Sequence, residues 1–195
     1  MAKIPHEYYP QIADSEILTL CDRLVPNTVP ILVSIHPWEK ALSQECFENV
    51  ARYAEERGGH RCLGWRIMRW ANIMVEAEAH AVWCSPTGEL LDITPCEQSA
   101  ALFLPDPTMR HTGYSHANVR QALTDSGLVA DLIDIANQLD QLRASVKSGT
   151  PYEVPAILLS QYKKIVDILQ NTNVERNAPC PCKSGLKFKK CCGRF

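Results

Sequence analysis

Two groups of residues in this 195-residue chain have the types and spacing for chemistry. The first is at the C-terminus, where residues 177–195 read NAPCPCKSGLKFKKCCGRF. Cys180 and Cys182 form a C-x-C, and Cys191 and Cys192 form a vicinal pair after eight intervening residues. Four thiolates are the soft donor set that a tetrahedral zinc ion takes at about 2.3 Å. The stretch is too short to bury a core, so metal binding is the force available to fold it. Pro179 and Pro181 stiffen the approach on either side of Cys180, and Ser184 and Gly185 supply a turn. A disulfide framework is the competing reading, but bridging adjacent Cys191 and Cys192 to each other would be strained. A disordered tail with incidental cysteines is the other.

The second group is spread over the chain. Cys46 stands near a helix start, His80 lies on an alternating segment, and Asp92 lies on the segment after it. A nucleophilic cysteine needs an imidazole to hold it as thiolate, and the imidazole needs a carboxylate to fix its tautomer. Cys46 is the candidate nucleophile, His80 the base and Asp92 the orienting group. The backbone N–H of Cys46 would form part of an oxyanion hole. Other readings of the same residues stay open. Cys46 borders an apolar helix stripe and could be a small buried hydrophobe. Glu78 shares the face of His80, so Glu78, His80 and Asp92 could be metal ligands, or that face could simply be solvated. Cys21, Cys62, Cys84 and Cys96 are read as structural.

The elements that must position these groups can be read from periodicity. Ser15–Leu24 is expected to be a helix with apolar Ile17, Leu18, Leu20, Cys21 and Leu24, followed by a short extended segment over Pro30–Ile35. Ser43–Arg57 is expected to be a second helix. Ser43 is its N-cap, and Phe47, Val50, Ala51 and Ala54 form its buried stripe. If Ser43 caps, Cys46 falls in the first turn, where the dipole and the free N–H groups favour a thiolate. Strands follow over Cys62–Trp70 and Val75–Trp83, and Glu89–Thr94 returns from a turn at Ser85–Gly88. Pairing Trp83, Ala81 and Ala79 with Glu89, Leu91 and Ile93 puts the apolar residues on one face and His80 opposite Asp92 on the other. A one-residue slip would mix the faces. This register requires a loop of three or five residues. Residues 95–115 read as irregular. Leu128–Val146 and Pro155–Leu169 read as a helical hairpin, and Asn171–Asn177 as a linker.

The expected fold class is therefore α+β: a small antiparallel sheet packed with helices, a C-terminal helical hairpin and a zinc-knuckle tail. A body over 1–173 would hold a core of about 30–110 and a helical part of about 115–170, with the metal-binding motif at 174–195. No apolar run approaches the roughly twenty residues of a membrane span, and the N-terminus lacks a signal-peptide core. The expectation is a cytoplasmic protein without membrane contact, which suits its five cysteines outside the tail. The overall charge of −2 is unevenly spread. From Val174 onward six basic residues face Glu175, for +5, and the remaining chain carries −7. Loading four thiolates with Zn²⁺ brings the tail to about +3. A positive tail on an acidic body suits an acidic protein, the ribosome or RNA.

Two resemblances add to this reading. Asn177, Pro179, Cys180, Pro181, Cys182, Ser184, Gly185, Lys187, Lys189, Cys191 and Cys192 resemble the SEC-C motif of the SecA C-terminus. Lys183 replaces its first glycine and Leu186 a common lysine. The resemblance implies a zinc site with Cys180, Cys182, Cys191 and Cys192 as ligands, and a surface that docks a chaperone or the ribosome. Separately, CFENV, GGHRCLGW, EAEAHAVW and GELLDITP, over roughly residues 43–95, resemble the papain-like and transglutaminase-like thiol folds in the order of cysteine helix, histidine strand and acidic strand. Three functions follow: a zinc-dependent protein-docking module, a cysteine hydrolase or acyltransferase acting through Cys46, His80 and Asp92, and an RNA- or ribosome-associated factor.

Overall fold

The computed structural model describes residues 14–70, 72–170, 175–180 and 185–191. Cys182, Cys192 and part of the expected linker lie outside them. The elements run α1 (Ser15–Leu24), β1 (Ile31–Ser34), α2 (Cys46–Arg57), β2 (His60–Trp70), β3 (Met74–Cys84), β4 (Leu90–Leu91), β5 (Ala100–Pro105), β6 (Val119–Ala122), α3 (Gly127–Ala144) and α4 (Ala156–Gln170). A 3₁₀ turn spans Phe188–Lys190. This is the α+β class, with an antiparallel six-stranded sheet ordered β1-β5-β2-β3-β4 and β6 also on β3.

The spine of the sheet is the β2–β3 hairpin, paired from His60 opposite Cys84 to Trp70 opposite Met74. β5 lies against β2, and Gly64 permits the approach: a Cβ there would sit 2.1 Å from the Leu104 carbonyl oxygen. The sheet curls until its two ends meet. Ile35, just past β1, bridges Asp92, and the Trp38 N–H donates to the Ile93 carbonyl at 2.9 Å.

Alternation along the strands sorts the packing. Ile67, Val75, Ala77, Leu102 and Leu104 pack with Ile17, Leu20 and Cys21 of α1. Ala79, Ala81 and Ile93 pack with Phe47 and Val50 of α2. Trp70 and Met74 meet α3 and α4 instead. α1 begins where Asp14 accepts from the Glu16 and Ile17 N–H groups at 3.0 and 3.2 Å, an N-cap.

Three expectations need correction. Residues 95–115 are not irregular throughout, because Ala100–Pro105 is an interior strand of the sheet. Leu102, Phe103 and Leu104 are fully buried, so β5 reads as a continuous apolar run without alternation, and Pro105 and Pro107 disguise it as a loop. The hairpin after β3 is shorter than expected and shifted by two residues: Trp83 faces Leu91 rather than Glu89. Alternation sets only which face a residue occupies, and a two-residue shift leaves the faces unchanged. The loop is five residues, 85–89, closed by Ser85 Oγ accepting from the Thr87 and Glu89 N–H groups. Finally, Ser43 does not cap α2. The helix starts at Cys46 after Glu45, which makes no side-chain cap.

The tail packs rather than trails. Pro179 bridges Lys187, the Cys180 N–H donates to the Leu186 carbonyl at 2.8 Å, and the Phe188 N–H donates to the Ala178 carbonyl at 2.8 Å. Cys180 and Phe188 are buried in the same apolar cluster as α3 and α4.

Candidate thiol centre and metal motif

Cys46 is the first residue of α2, so its N–H and those of Phe47 and Glu48 have no partner inside the helix. Local contacts fix that start. Asn49 holds the preceding loop from within the helix, accepting from the Leu42 N–H at 2.9 Å and donating to the Leu42 carbonyl at 2.7 Å. At the far end the Trp83 indole donates to the Gly58 carbonyl at 2.8 Å, and Trp38, Tyr53 and Trp83 stack edge to face along the helix. Gly58, at φ 75°, ends the helix.

His80 stands where the outer edge of β3 is open. β4 covers that edge at Trp83 and Cys84, and β6 at Met74–Ala77, so among the described residues no strand pairs with Glu78–Val82 on that side. The first turn of α2 meets β3 in this gap, beside Ala79 and Ala81.

The structure brings Cys46, His80 and Asp92 together. His80 Nε2 lies 2.8 Å from Asp92 Oδ2, and the Cys46 thiol is close enough to the imidazole to favour its charged form. With Nε2 committed to Asp92, Nδ1 is the ring nitrogen left for sulfur. The side chains of His80 and Asp92 are 5% and 0% exposed, and Cys46 is 6% exposed. Burial opposes charge on His80, but Cys46 and Asp92 outweigh it and hold the ring's pKa well above the usual histidine range. Burial opposes the Asp92 charge too, yet His80, the Thr94 N–H and Arg66 keep it below the usual carboxylate value. Asp92 uses both oxygens, Oδ1 accepting from the Thr94 N–H at 3.0 Å. In the shifted register Asp92 is diagonal to His80 rather than opposite it, a separation that these side chains span.

Glu78 does not join them. It pairs across the strands with Arg66, and no three-residue metal-ligand group occurs among the described residues. Arg66 is a participant that sequence reading missed. It is buried beside Glu78 and Asp92 and donates to Cys96 Sγ at 2.9 Å and Gln98 Oε1 at 3.4 Å. Its place in the alternation of β2 puts it on the His80 face, which was the available signal. His111 and His116, beside the first turn of α2, were also missed, and no periodicity marks them.

Of the four tail cysteines, Cys180 and Cys191 fall within the described residues. The bridge of Pro179 to Lys187 and the 3₁₀ turn fold the two arms of the tail together. The donor set, four cysteine sulfurs in thirteen residues, fits zinc.

Comparison with known proteins bears on this tail. Residues 176–194 carry the SEC-C motif. The chain is 80% identical over 20 residues to the uncharacterised protein YccF of Bacillus subtilis, covering 10% of this chain and 6% of that one. It is 40% identical over 57 residues to the protein translocase subunit SecA of Syntrophobacter fumaroxidans, covering 29% of this chain and 6% of that one. Against SecA of Elusimicrobium minutum it is 59% identical over 27 residues, 14% of this chain and 3% of that one. The chain thus spans less than a tenth of the length of these relatives. No solved structure matches it. No helix among the described residues is long and apolar enough to cross a membrane.

Proposed function

We propose that the body is a cysteine-dependent hydrolase or acyltransferase. Cys46 is the nucleophile, His80 the acid–base group and Asp92 its orienter. The observation that carries this reading is a buried imidazole held between a carboxylate, at 2.8 Å, and a cysteine that opens a helix. The Cys46 sulfur attacks a carbonyl carbon, forming a C–S bond while the carbonyl electron pair moves to oxygen. The unpartnered N–H groups at the start of α2 stabilise that oxyanion. Collapse expels the leaving group, which takes the proton from His80. Water or an acceptor nucleophile then gives its proton to His80, attacks the acyl carbon and releases Cys46.

The test is site-resolved alkylation by iodoacetamide, followed by mass spectrometry of the full chain. Cys46 should react far faster than Cys21, whose thiol burial pushes up to about 11, and His80→Ala should slow Cys46 at least tenfold. Equal rates at Cys46 and Cys21 would sink the proposal.

The SEC-C motif supports a second role. The tail would bind one Zn²⁺ through Cys180, Cys182, Cys191 and Cys192 and dock the body on a protein partner, as its likeness to the C-terminal region of SecA suggests. Zinc would supply the cross-link that holds the arms, with Lys187, Lys189 and Lys190 giving the surface its positive charge. A pull-down with the full chain, with and without chelator, tests the docking role. Binding that collapses in moderate salt and is removed by nuclease would instead favour RNA.

A further inference from the structure

Beside Cys46, the first turn of α2 carries two groups that the acyl-transfer scheme leaves unused. The Phe47 ring stacks on the His111 imidazole, centroids 4.3 Å apart and planes 4° from parallel. The Glu48 carboxylate lies 3.3 Å from His111 Nε2. His116 stands close by, 6.0 Å from the Phe47 ring and 6.4 Å from His111. His111 Nδ1 and His116 Nε2 are buried and have no hydrogen-bond partner among the described residues, and the His111 side chain is only 5% exposed. Native folds leave few such atoms bare, and those that remain call for a ligand or ordered water.

The chemistry of the ligand follows from the tautomer. An imidazole that donates Nε2–H to the Glu48 carboxylate presents Nδ1 as its acceptor in the single-proton tautomer. The stack on Phe47 fixes the plane in which that lone pair lies. The His116 backbone is held by Arg143, which donates to its carbonyl at 3.1 Å, and its buried Nε2 is a second polar contact.

We propose that His111 is a specificity-determining residue of the thiol centre: its Nδ1 accepts a hydrogen bond from an N–H of the substrate, with His116 as the adjoining contact. The preferred acyl donors are then amides that carry an N–H, in preference to esters or fully N-alkylated amides. This rests on the thiol-centre reading and deepens it.

Alkylation of Cys46 by chloroacetamide and by N,N-dimethylchloroacetamide isolates the N–H, since only the first can donate. The full chain is compared with glutathione, which corrects for intrinsic reactivity. Cys46 should favour chloroacetamide by about two- to tenfold beyond glutathione, the size of one hydrogen bond. His111→Phe, which keeps a ring to stack on Phe47, should return the preference to that of glutathione, and His116→Phe should reduce it. Fast labelling of Cys46 with the glutathione preference would overturn this inference and leave the thiol centre standing, as would a preference that survives in His111→Phe. Labelling no faster than Cys21 with either reagent would overturn both.

Discussion

Replacing Asp92 with asparagine tests the centre of the site. The substitution keeps size and shape but offers one oxygen where Asp92 uses two, on His80 at 2.8 Å and on the Thr94 N–H at 3.0 Å. One donor therefore loses its partner, and the buried imidazole loses its counter-charge. Removing one member of a buried charge pair costs about 3–5 kcal/mol. The experiment is cleanest in a Cys46→Ser background, where no thiol exchanges protons with the ring. There Asp92 alone must outweigh burial to keep the ring charged, and the experiment asks whether it does. A pKa raised in the folded state adds stability that is complete below about pH 6.5 and is lost as pH rises through the folded value, by at most about 1.4 kcal/mol per unit. Asp92, whose pKa is lowered, stays ionised from pH 5 to 9. Urea unfolding over that range should show Cys46→Ser losing stability as pH rises. The double variant should be less stable by about 3–5 kcal/mol at pH 6, with most of the slope gone. Parallel pH curves, or a difference below about 1 kcal/mol at pH 6, would refute the account of His80 as a charged ring held by Asp92.

Other outcomes follow from the packing. Gly64→Ala places a methyl group 2.1 Å from the Leu104 carbonyl oxygen and 2.8 Å from Phe103 Cζ, so it should cost about 3 kcal/mol or more in chemical denaturation. Arg120→Leu leaves Glu76 and Asp140 buried without the guanidinium that now sits 2.6 and 2.8 Å away, and thermal unfolding should register a loss of about 3–5 kcal/mol. Native mass spectrometry should find the one Zn²⁺ proposed for the tail, and Cys180→Ser should lose it. Because Cys180 and Phe188 pack in the cluster of α3 and α4, it should also speed proteolysis of the tail.

The helices were largely legible before the structure. α1 spans Ser15–Leu24 as its apolar residues lead one to expect, and α3 and α4 begin within two residues of their expected starts. Long periodic segments carry their own signal. β5 carried none, since a strand buried on both faces has no alternation to read. The start of α2 was misplaced because Asn49, within the helix, ties down the preceding loop, and no spacing rule announces that.

The candidate site divides in the same way. Residue type and order alone single out Cys46, His80, Asp92 and the four tail cysteines, because few side chains perform thiol or zinc chemistry and their order along the chain survives in one dimension. The alternation of β3 and the segment after it also determined that His80 and Asp92 share a face, since a strand's period is two. What only the tertiary structure decided is the meeting of α2 with the open edge of β3. That contact depends on where β4 stops and β6 begins and on the curl that joins β1 to Asp92, while the charge of Arg66 favours the ionised carboxylate. These are contacts between segments far apart in the chain. They are set by how the whole sheet closes, and no local pattern encodes them.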